Sequence, residues 1–399
     1  MDIYLTSMQI AALSIAGMCH ALLGSIKVPL ARQLEIDEAR VGGLVSVFGF
    51  TLIPMAFAAG IFADSFGRDM VLVAGFVLLI LSVLVLAHLK SYRMAVLSVL
   101  LLGTGWSALV NVLNATQGPS FLPLDEIADR LSYAMNLGDF VFGMGAFLMP
   151  IVVGYSLRRM GLRSTFMVFA SLIMIPLVLS FAVDWQRIAP EEATRLFTFS
   201  DLLHDKIVWI CCIAFLFHVP VEACVATWAT TLMIERGVEE KNSNLLLSAF
   251  WLTFTVSRLI AAILMPFLAL LIKERAMNVE TDHLVVVGLA VIMLAVVLGL
   301  VTSRGKLQTS TLLIFAGLIL GPIFPILIAQ LVGHVSAELP TMEGRAIGLF
   351  FCIGGIGWAV VPFMVGRMAD RVGLQKSFLV VAGCSAGLVV MCTVLYLFG

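Results

Sequence analysis

The sequence predicts an all-helical, polytopic membrane protein with twelve transmembrane helices in two pseudo-symmetric six-helix bundles. Composition is the first observation behind this expectation. Of the 399 residues, 61% are hydrophobic and only 12% are charged, too few polar groups to cover a soluble chain of that size. The second is an internal repeat. Residues 143–166 align with residues 355–378 at a constant offset of 212 and without a gap. Gly143, Gly145, Pro150, Val153, Gly154, Arg159, Gly161, Leu162 and Phe166 fall on Gly355, Gly357, Pro362, Val365, Gly366, Arg371, Gly373, Leu374 and Phe378. Nine identities in 24 positions, most of them glycine or proline, mark a duplicated backbone shape. The offset is just over half the chain, so the halves read as equivalent bundles, an arrangement typical of secondary transporters.

A helix needs about 20 apolar residues to cross the hydrocarbon. Charged or Gly/Pro-rich breaks cut the chain into twelve such runs: 8–30, 41–62, 70–88, 94–117, 131–155, 164–184, 207–233, 243–272, 283–302, 311–334, 343–367 and 377–398. An even number places both termini on one side. The break between the sixth and seventh runs, DWQRIAPEEATRLFTFSDLLHDK, is the longest and most polar. It divides the chain into an N-terminal bundle, 1–185, a central loop, 186–206, and a C-terminal bundle, 207–399.

Charge and cysteine usage exclude several functions. A net charge of −1 offers no polybasic surface for nucleic acid. The seven cysteines lie in apolar stretches without metal-ligand spacing and read as core packing, so no metal site is expected. No signal peptide is evident, since no Lys or Arg precedes the first apolar run. Nothing matches G-x-x-x-x-G-K-[ST], and no nucleophile–base constellation appears, so neither a cofactor nor enzymatic activity is expected.

The end of the second run and the turn after it read GIFADSFGRD, with Gly60, Asp64, Gly67 and Arg68. Gly60 suits close helix packing, while Asp64 and Arg68 are spaced to pair across the turn and hold one conformation until the pair breaks. An ordinary polar turn between membrane helices is the alternative. This stretch resembles the G-x-x-x-D-x-x-G-R signature between helices two and three of major facilitator superfamily transporters. It departs from that signature at Asp69, where the family usually places another base. The equivalent turn of the second half, LIKERAMN, has lost the pattern.

The resemblance extends over the twelve runs, the two repeats, the central loop and the glycine-rich fifth and eleventh runs. More narrowly, FLFHVPVEACVATW and SAFWLTFTVSRL are similar to helices seven and eight of the fucose permease-like, sugar:proton symporter branch. Glu222, Trp228, Phe250 and Trp251 stand where that branch tends to place Glu, Trp and a Phe-Trp pair. The fourth run fits through Gly103, Gly105, Asn111 and Asn114. The acids that the branch carries on its first and fourth helices are missing, with Gly24 and Ser25 in the first region and the two asparagines in the second. The resemblance therefore implies a transporter but leaves that branch's coupling scheme in doubt.

Polar groups within the runs are functional candidates, because a charge near the bilayer centre costs about 2.5–3.5 kcal/mol on insertion scales. Four charged side chains qualify, Lys27, Asp139, Glu222 and Arg258, and His20 and His218 add titratable polarity. His218 and Glu222 share a helical face. Glu222 lies beside the helix-loosening Pro220 and is the leading candidate for a coupling or substrate group; the alternative is a structural ion pair with Arg258 on the next helix. Asn136 and Asp139 stand i, i+3, and Asn111 and Asn114 repeat that spacing. Amides both donate and accept, which suits a hydroxyl-rich solute, although interhelical bonding is equally open to them. Trp228, Trp251 and Trp358 offer either a stacking wall for a sugar ring or ordinary packing.

The family topology puts the termini and the Asp64–Arg68 turn in the cytoplasm. Under it, eight loop Lys and Arg face the termini's side and fourteen the other, whereas the positive-inside rule prefers the reverse. The expectation is a multi-pass, monomeric transporter of the plasma membrane, the inner membrane in a bacterium. Its partners would be the bilayer, a small polar solute, sugar-like before organic anion or exported drug, and a coupling ion, H+. A non-transporting receptor on the same fold is the reading from another class, and the short loops argue against it.

Overall fold

The computed structural model describes residues 2–188, 198–274 and 281–398. Part of the central loop, 189–197, and the end of the LIKERAMN turn lie outside these described residues. Among the described residues every regular element is helical. In the first half these are α1 (Ile3–Ser25), α2 (Lys27–Leu34), α3 (Glu38–Phe66), α4 (Arg68–Ala87), α5 (Tyr92–Phe121) and α6 (Ile127–Ser180). A short α7 (Phe199–His204) leads into α8 (Lys206–Glu235), α9 (Glu240–Glu274), α10 (Thr281–Thr302), α11 (Lys306–Leu320), α12 (Ile323–Glu338), α13 (Glu343–Val372) and α14 (Leu374–Phe398).

Helix starts follow the local sequence. Asp2, Asp37, Ser91 and Asp205 stand just before α1, α3, α5 and α8, and each accepts a backbone N–H from the first turn. The first expected run divides into α1 and α2 because Pro29 has no N–H to offer the carbonyl of Ser25. The tenth divides into α11 and α12 at Gly321-Pro322.

Among the described residues, eleven helical stretches are long and apolar enough to cross a membrane. One of them, Leu124–Ser180, has 57 residues. At 1.5 Å per residue it would extend about 85 Å, more than twice the roughly 30 Å hydrocarbon, so it holds two crossings. The reversal falls at Gly161, whose φ of 75° is left-handed. Its repeat partner Gly373, between α13 and α14, has a φ of 86°. The repeat therefore duplicates a backbone turn, and Pro150 and Pro362 each lie inside the helix that precedes it. Large apolar side chains such as Phe62, Ile151, Ile263 and Phe363 are more than half exposed, as lipid-facing residues are. The chain is a multi-pass integral membrane protein.

The described helices gather into two compact units. The first comprises Met1–Asp129, Val141–Thr198 and Val335–Cys352. In it α5 packs against α1, α3 and α4, and its core includes Leu22, Leu72, Phe76, Leu102, Leu109 and Phe166. The second comprises Arg130–Phe140, Phe199–His334 and Ile353–Gly399. There α14 packs against α8 and α10, and α9 against α11, around Cys211, Phe250, Val286, Leu320 and Phe378. Each unit thus includes a segment from the other half of the sequence: the start of the eleventh run in the first, the start of the fifth in the second.

A Cβ at Gly161 or at Gly373 would meet nothing within 4 Å, so a side chain there faces conformational cost alone. Gly161→Ala and Gly373→Ala are each expected to lower stability by about 1–2 kcal/mol, the cost of a left-handed L-residue. Gly383→Ala, within a helix and also in open space, should be neutral or stabilising. Thermal unfolding of the three variants in detergent checks the order.

Candidate functional site

In the first unit the signature turn is tied to the start of α13. Asp64, in the last turn of α3, accepts the backbone N–H groups of Gly344 and Arg345, both at 2.8 Å. Two of the four donors that a helix start leaves unpaired are thereby satisfied, and a negative charge sits at the positive end of the helix. The backbones almost touch: a Cβ at Gly60 would lie 2.0 Å from the Gly344 carbonyl oxygen, and one at Gly344 would lie 2.5 Å from Asp64 Oδ1. Gly67, with φ 99°, ends α3 and turns the chain into α4. Arg68 donates to the Glu343 carboxylate, whose other oxygen accepts from Ser336 Oγ at 2.6 Å. Arg345 Nη2 donates to Ser65 Oγ at 3.1 Å, and its Nη1 lies 3.7 Å from Asp64.

The expected pairing of Asp64 with Arg68 is therefore corrected. The chain reverses at Gly67, and the two side chains take separate partners at the α13 start. Asn111 also belongs to this cluster, donating to the Gly344 carbonyl at 2.9 Å. Asn114 donates to Val110 of its own helix and accepts from Gln117.

Elsewhere in this unit, the exposed His20 has Trp106, Phe142 and Phe48 around it, with ring centroids at 5.6, 5.8 and 6.4 Å. Trp106 is held by donating Nε1 to the Ala16 carbonyl. Lys27, half-buried, opens α2.

The second unit gathers most of the intramembrane charge. Arg258 on α9 is buried, with the Phe254 ring 4.5 Å from its guanidinium carbon. Its Nε donates to the Gly321 carbonyl at 3.1 Å. That oxygen lacks its ordinary helical donor, because the residue four positions on is Pro325. Nη1 donates to the main-chain carbonyl of Asp139 at 3.1 Å, and Nη2 lies 3.9 Å from the Asp139 carboxylate. Asp139 sits about 18 Å along α6, and its buried Oδ2 has no hydrogen-bond partner among the described residues. Asn136, one turn earlier, donates to Ser132, while its Oδ1 is buried without a hydrogen-bond partner among the described residues.

His218 on α8 is fully buried and stacks on Phe215, and neither ring nitrogen has a hydrogen-bond partner among the described residues. Its Nε2 lies 3.7 Å from the Glu222 carboxylate. Arg258 thus pairs with Asp139, and Glu222 with His218, rather than with each other as the alternative reading of Glu222 had it. Trp228 packs beside Gly366, and its Nε1 is buried without a hydrogen-bond partner among the described residues. Trp251 and Trp358 are each about 40% exposed, Trp251 lying edge-on to Phe250 and Phe254.

Sequence reasoning missed Ser336, Glu343, Gly344 and Arg345 in the first cluster and Gly321 with Pro325 in the second. The Gly321-Pro322 pair and Pro325 were a readable sign of an unpaired carbonyl. The α13 start, some 280 positions from Asp64, carried no local sign.

The family model for the Major Facilitator Superfamily matches residues 10–362. The chain belongs to that superfamily. No curated protein matches it in sequence. Among solved structures it is similar to the E. coli fucose:proton symporter, with a TM-score of 0.80 and 15% identity over 98% of each chain. It is also similar to the human organic anion transporter MFSD10, at 0.75 and 14% over 98% of this chain and 99% of that one. The proton:xylose symporter XylE gives 0.75 and 13%, over 99% and 95%. At these identities the likenesses establish the fold, which is that of transporters.

If Asp64 and Gly344 act as one joint, their substitutions should not add. Gly344→Ala forces a Cβ against Asp64 and is expected to cost about 1–3 kcal/mol. Asp64→Ala removes two charge-assisted bonds and should cost about 1.5–3 kcal/mol for each bond left unmade. The double variant should cost less than the sum, as measured by a double-mutant cycle on thermal stability.

Proposed function

We propose that the chain is a secondary active transporter that moves a small, uncharged, hydroxyl-rich solute of the sugar class, with proton movement as the driving coupling. The observation that carries this reading is the buried cluster of the second unit. Asp139, Asn136 and His218 present polar atoms without hydrogen-bond partners among the described residues, in a span where each unmade bond is costly. Such atoms suit a ligand that brings its own donors and acceptors, as hydroxyl groups do.

The commitments of Arg258 favour a neutral solute over an anion. Its Nε and Nη1 are engaged with carbonyls and its Nη2 faces Asp139, so little of its charge is on offer to a ligand carboxylate. Two acids against one arginine also make the cluster inhospitable to an anion. In this reading the duplicated halves, residues 1–185 and 207–399, alternate in exposing the site. The Asp64–Gly344–Glu343 cluster steadies one state of that cycle.

Counterflow of labelled sugars, organic acids and amino acids in proteoliposomes tests the proposal. A sugar should exchange, and organic acids should not; exchange of none would favour a receptor. Glu222→Gln, near-isosteric with the protonated acid, should abolish accumulation down a pH gradient while exchange survives. Normal accumulation in that variant would remove Glu222 from coupling. Asp64→Asn should slow transport and leave solute affinity within a few-fold.

A further inference from the structure

Two turns of the first unit, one after α4 and one midway along α6, lie side by side and carry positive charge without an acid. They read HLKSYR, residues 88–93, and SLRRMGLR, residues 156–163. Arg163 Nη2 and His88 Nε2, 3.0 Å apart, join them. An arginine only donates, so the imidazole accepts at Nε2, donates from Nδ1 to the Leu84 carbonyl at 3.0 Å, and is neutral. The bond therefore holds the turns together without balancing any of their charge. Lys90, Arg93, Arg158, Arg159 and Arg163 remain. They are five of the fourteen loop Lys and Arg that the family topology leaves on the side opposite the termini, against the positive-inside rule.

None of the five is paired with a carboxylate among the described residues. Acids do stand on the 35–40 turn, which Gln33 and Tyr92 tie to this face through the carbonyls of Leu89 and Arg40. Asp37 is engaged with the backbone N–H of Arg40, and Glu35 is exposed. The arginine donors are equally uncommitted. Arg158 donates only Nε, to the Gly154 carbonyl at 3.0 Å, and Arg159 makes no hydrogen bond among the described residues.

The setting of these donors is the edge of the hydrocarbon. Gly161 reverses α6 between its two crossings, and a Cβ there would meet nothing within 4 Å, so the space over the turn is open. About two and three turns before it, Tyr155 and Ile151 are 59% and 55% exposed and face lipid. The Arg159 guanidinium carbon lies 5.2 Å from the centre of the Tyr155 ring, which places an unpaired cation directly above a lipid-facing aromatic.

We propose that this face binds the headgroup phosphate of an anionic phospholipid. Arg158 and Arg159 grip the phosphate, Lys90, Arg93 and Arg163 supply the field that draws it, and Ile151 and Tyr155 lie along the acyl chain. The second half provides the contrast. Its Gly373 turn copies the backbone, but Asp370 and Gln375 stand at the equivalents of Arg158 and Arg163. Gln375 donates to the carbonyls of Ser303 and Leu300, at 2.6 and 3.4 Å, and Arg371 stands beside an acid instead of a second arginine.

The full chain, purified in a neutral detergent, is titrated with fluorescent short-chain phosphatidylglycerol and, separately, phosphatidylcholine, and anisotropy reads the binding. No solute enters the measurement, so its result is independent of the transport reading. Wild type should prefer phosphatidylglycerol. Arg158→Gln with Arg159→Gln should weaken that binding by more than about tenfold, since each basic group at a membrane surface is worth about fivefold. Arg371→Gln with Lys376→Gln removes as much charge from the equivalent turn and should leave binding within about twofold of wild type. Equal losses from the two pairs would reduce the preference to net charge and overturn the site, as would unchanged binding in the first pair. Arg158→Asp, an exchange that the second half already carries on this backbone, should weaken binding as well and guards against a pair that fails to fold. Displacement of the lipid by inorganic phosphate at equal concentration would assign the face to a free anion and overturn the lipid as its partner.

Discussion

An arginine stays in the interior of a membrane protein only if its donors are met there, and the way Arg258 meets them organises the second unit. Two of its bonds go to main-chain carbonyls, one of them released by Pro325 from helical pairing. The helix break in the tenth span and the arginine in the eighth therefore satisfy each other. The same guanidinium fixes the start of the fifth span at Asp139. A side chain held this way is a rigid positive charge, fixed by main-chain carbonyls rather than by the acids beside it.

The first unit uses the complementary device. There a helix start supplies unpaired N–H groups, and Asp64 supplies the acceptor. Glycine on both sides, Gly60 and Gly344, lets the helices come close enough for a short side chain to reach. Arg68, Glu343, Ser336 and Asn111 surround that joint with further bonds. In both units the polar side chains the sequence singles out act largely on backbone groups at helix ends and breaks. Those are the places in a membrane where the main chain lacks partners of its own.

Much of the fold was legible because bilayer thickness imposes a length on every span, and because the repeat recorded a turn. Gly161 and Gly373 were visible as identities, and their left-handed backbones explain why glycine stands at both. The signature turn was legible as a motif, but its partners were not. Asp64 and Arg68 read as a local pair, while their partners lie some 275–281 positions away. The pairing of Arg258 failed for a similar reason. Glu222 on the preceding span was the natural choice by sequence, but the start of the fifth span packs within the second unit and brings Asp139 to the arginine. Asn111 and Asn114 read equally well as ligand groups or as braces, and residue type alone could not decide between bonding a neighbouring backbone and waiting for a solute.

The central claim is that solute and proton meet at the Asp139–Glu222–Arg258 cluster. The most direct measurement is proton exchange on solute binding, made on purified protein in weakly buffered detergent near neutral pH with a sugar that gives counterflow. Binding should change the proton content of the wild type, and solute affinity should change with pH to match, since the two effects are reciprocal. A sugar that binds with no change in bound protons, and with the same affinity across pH, would contradict the account.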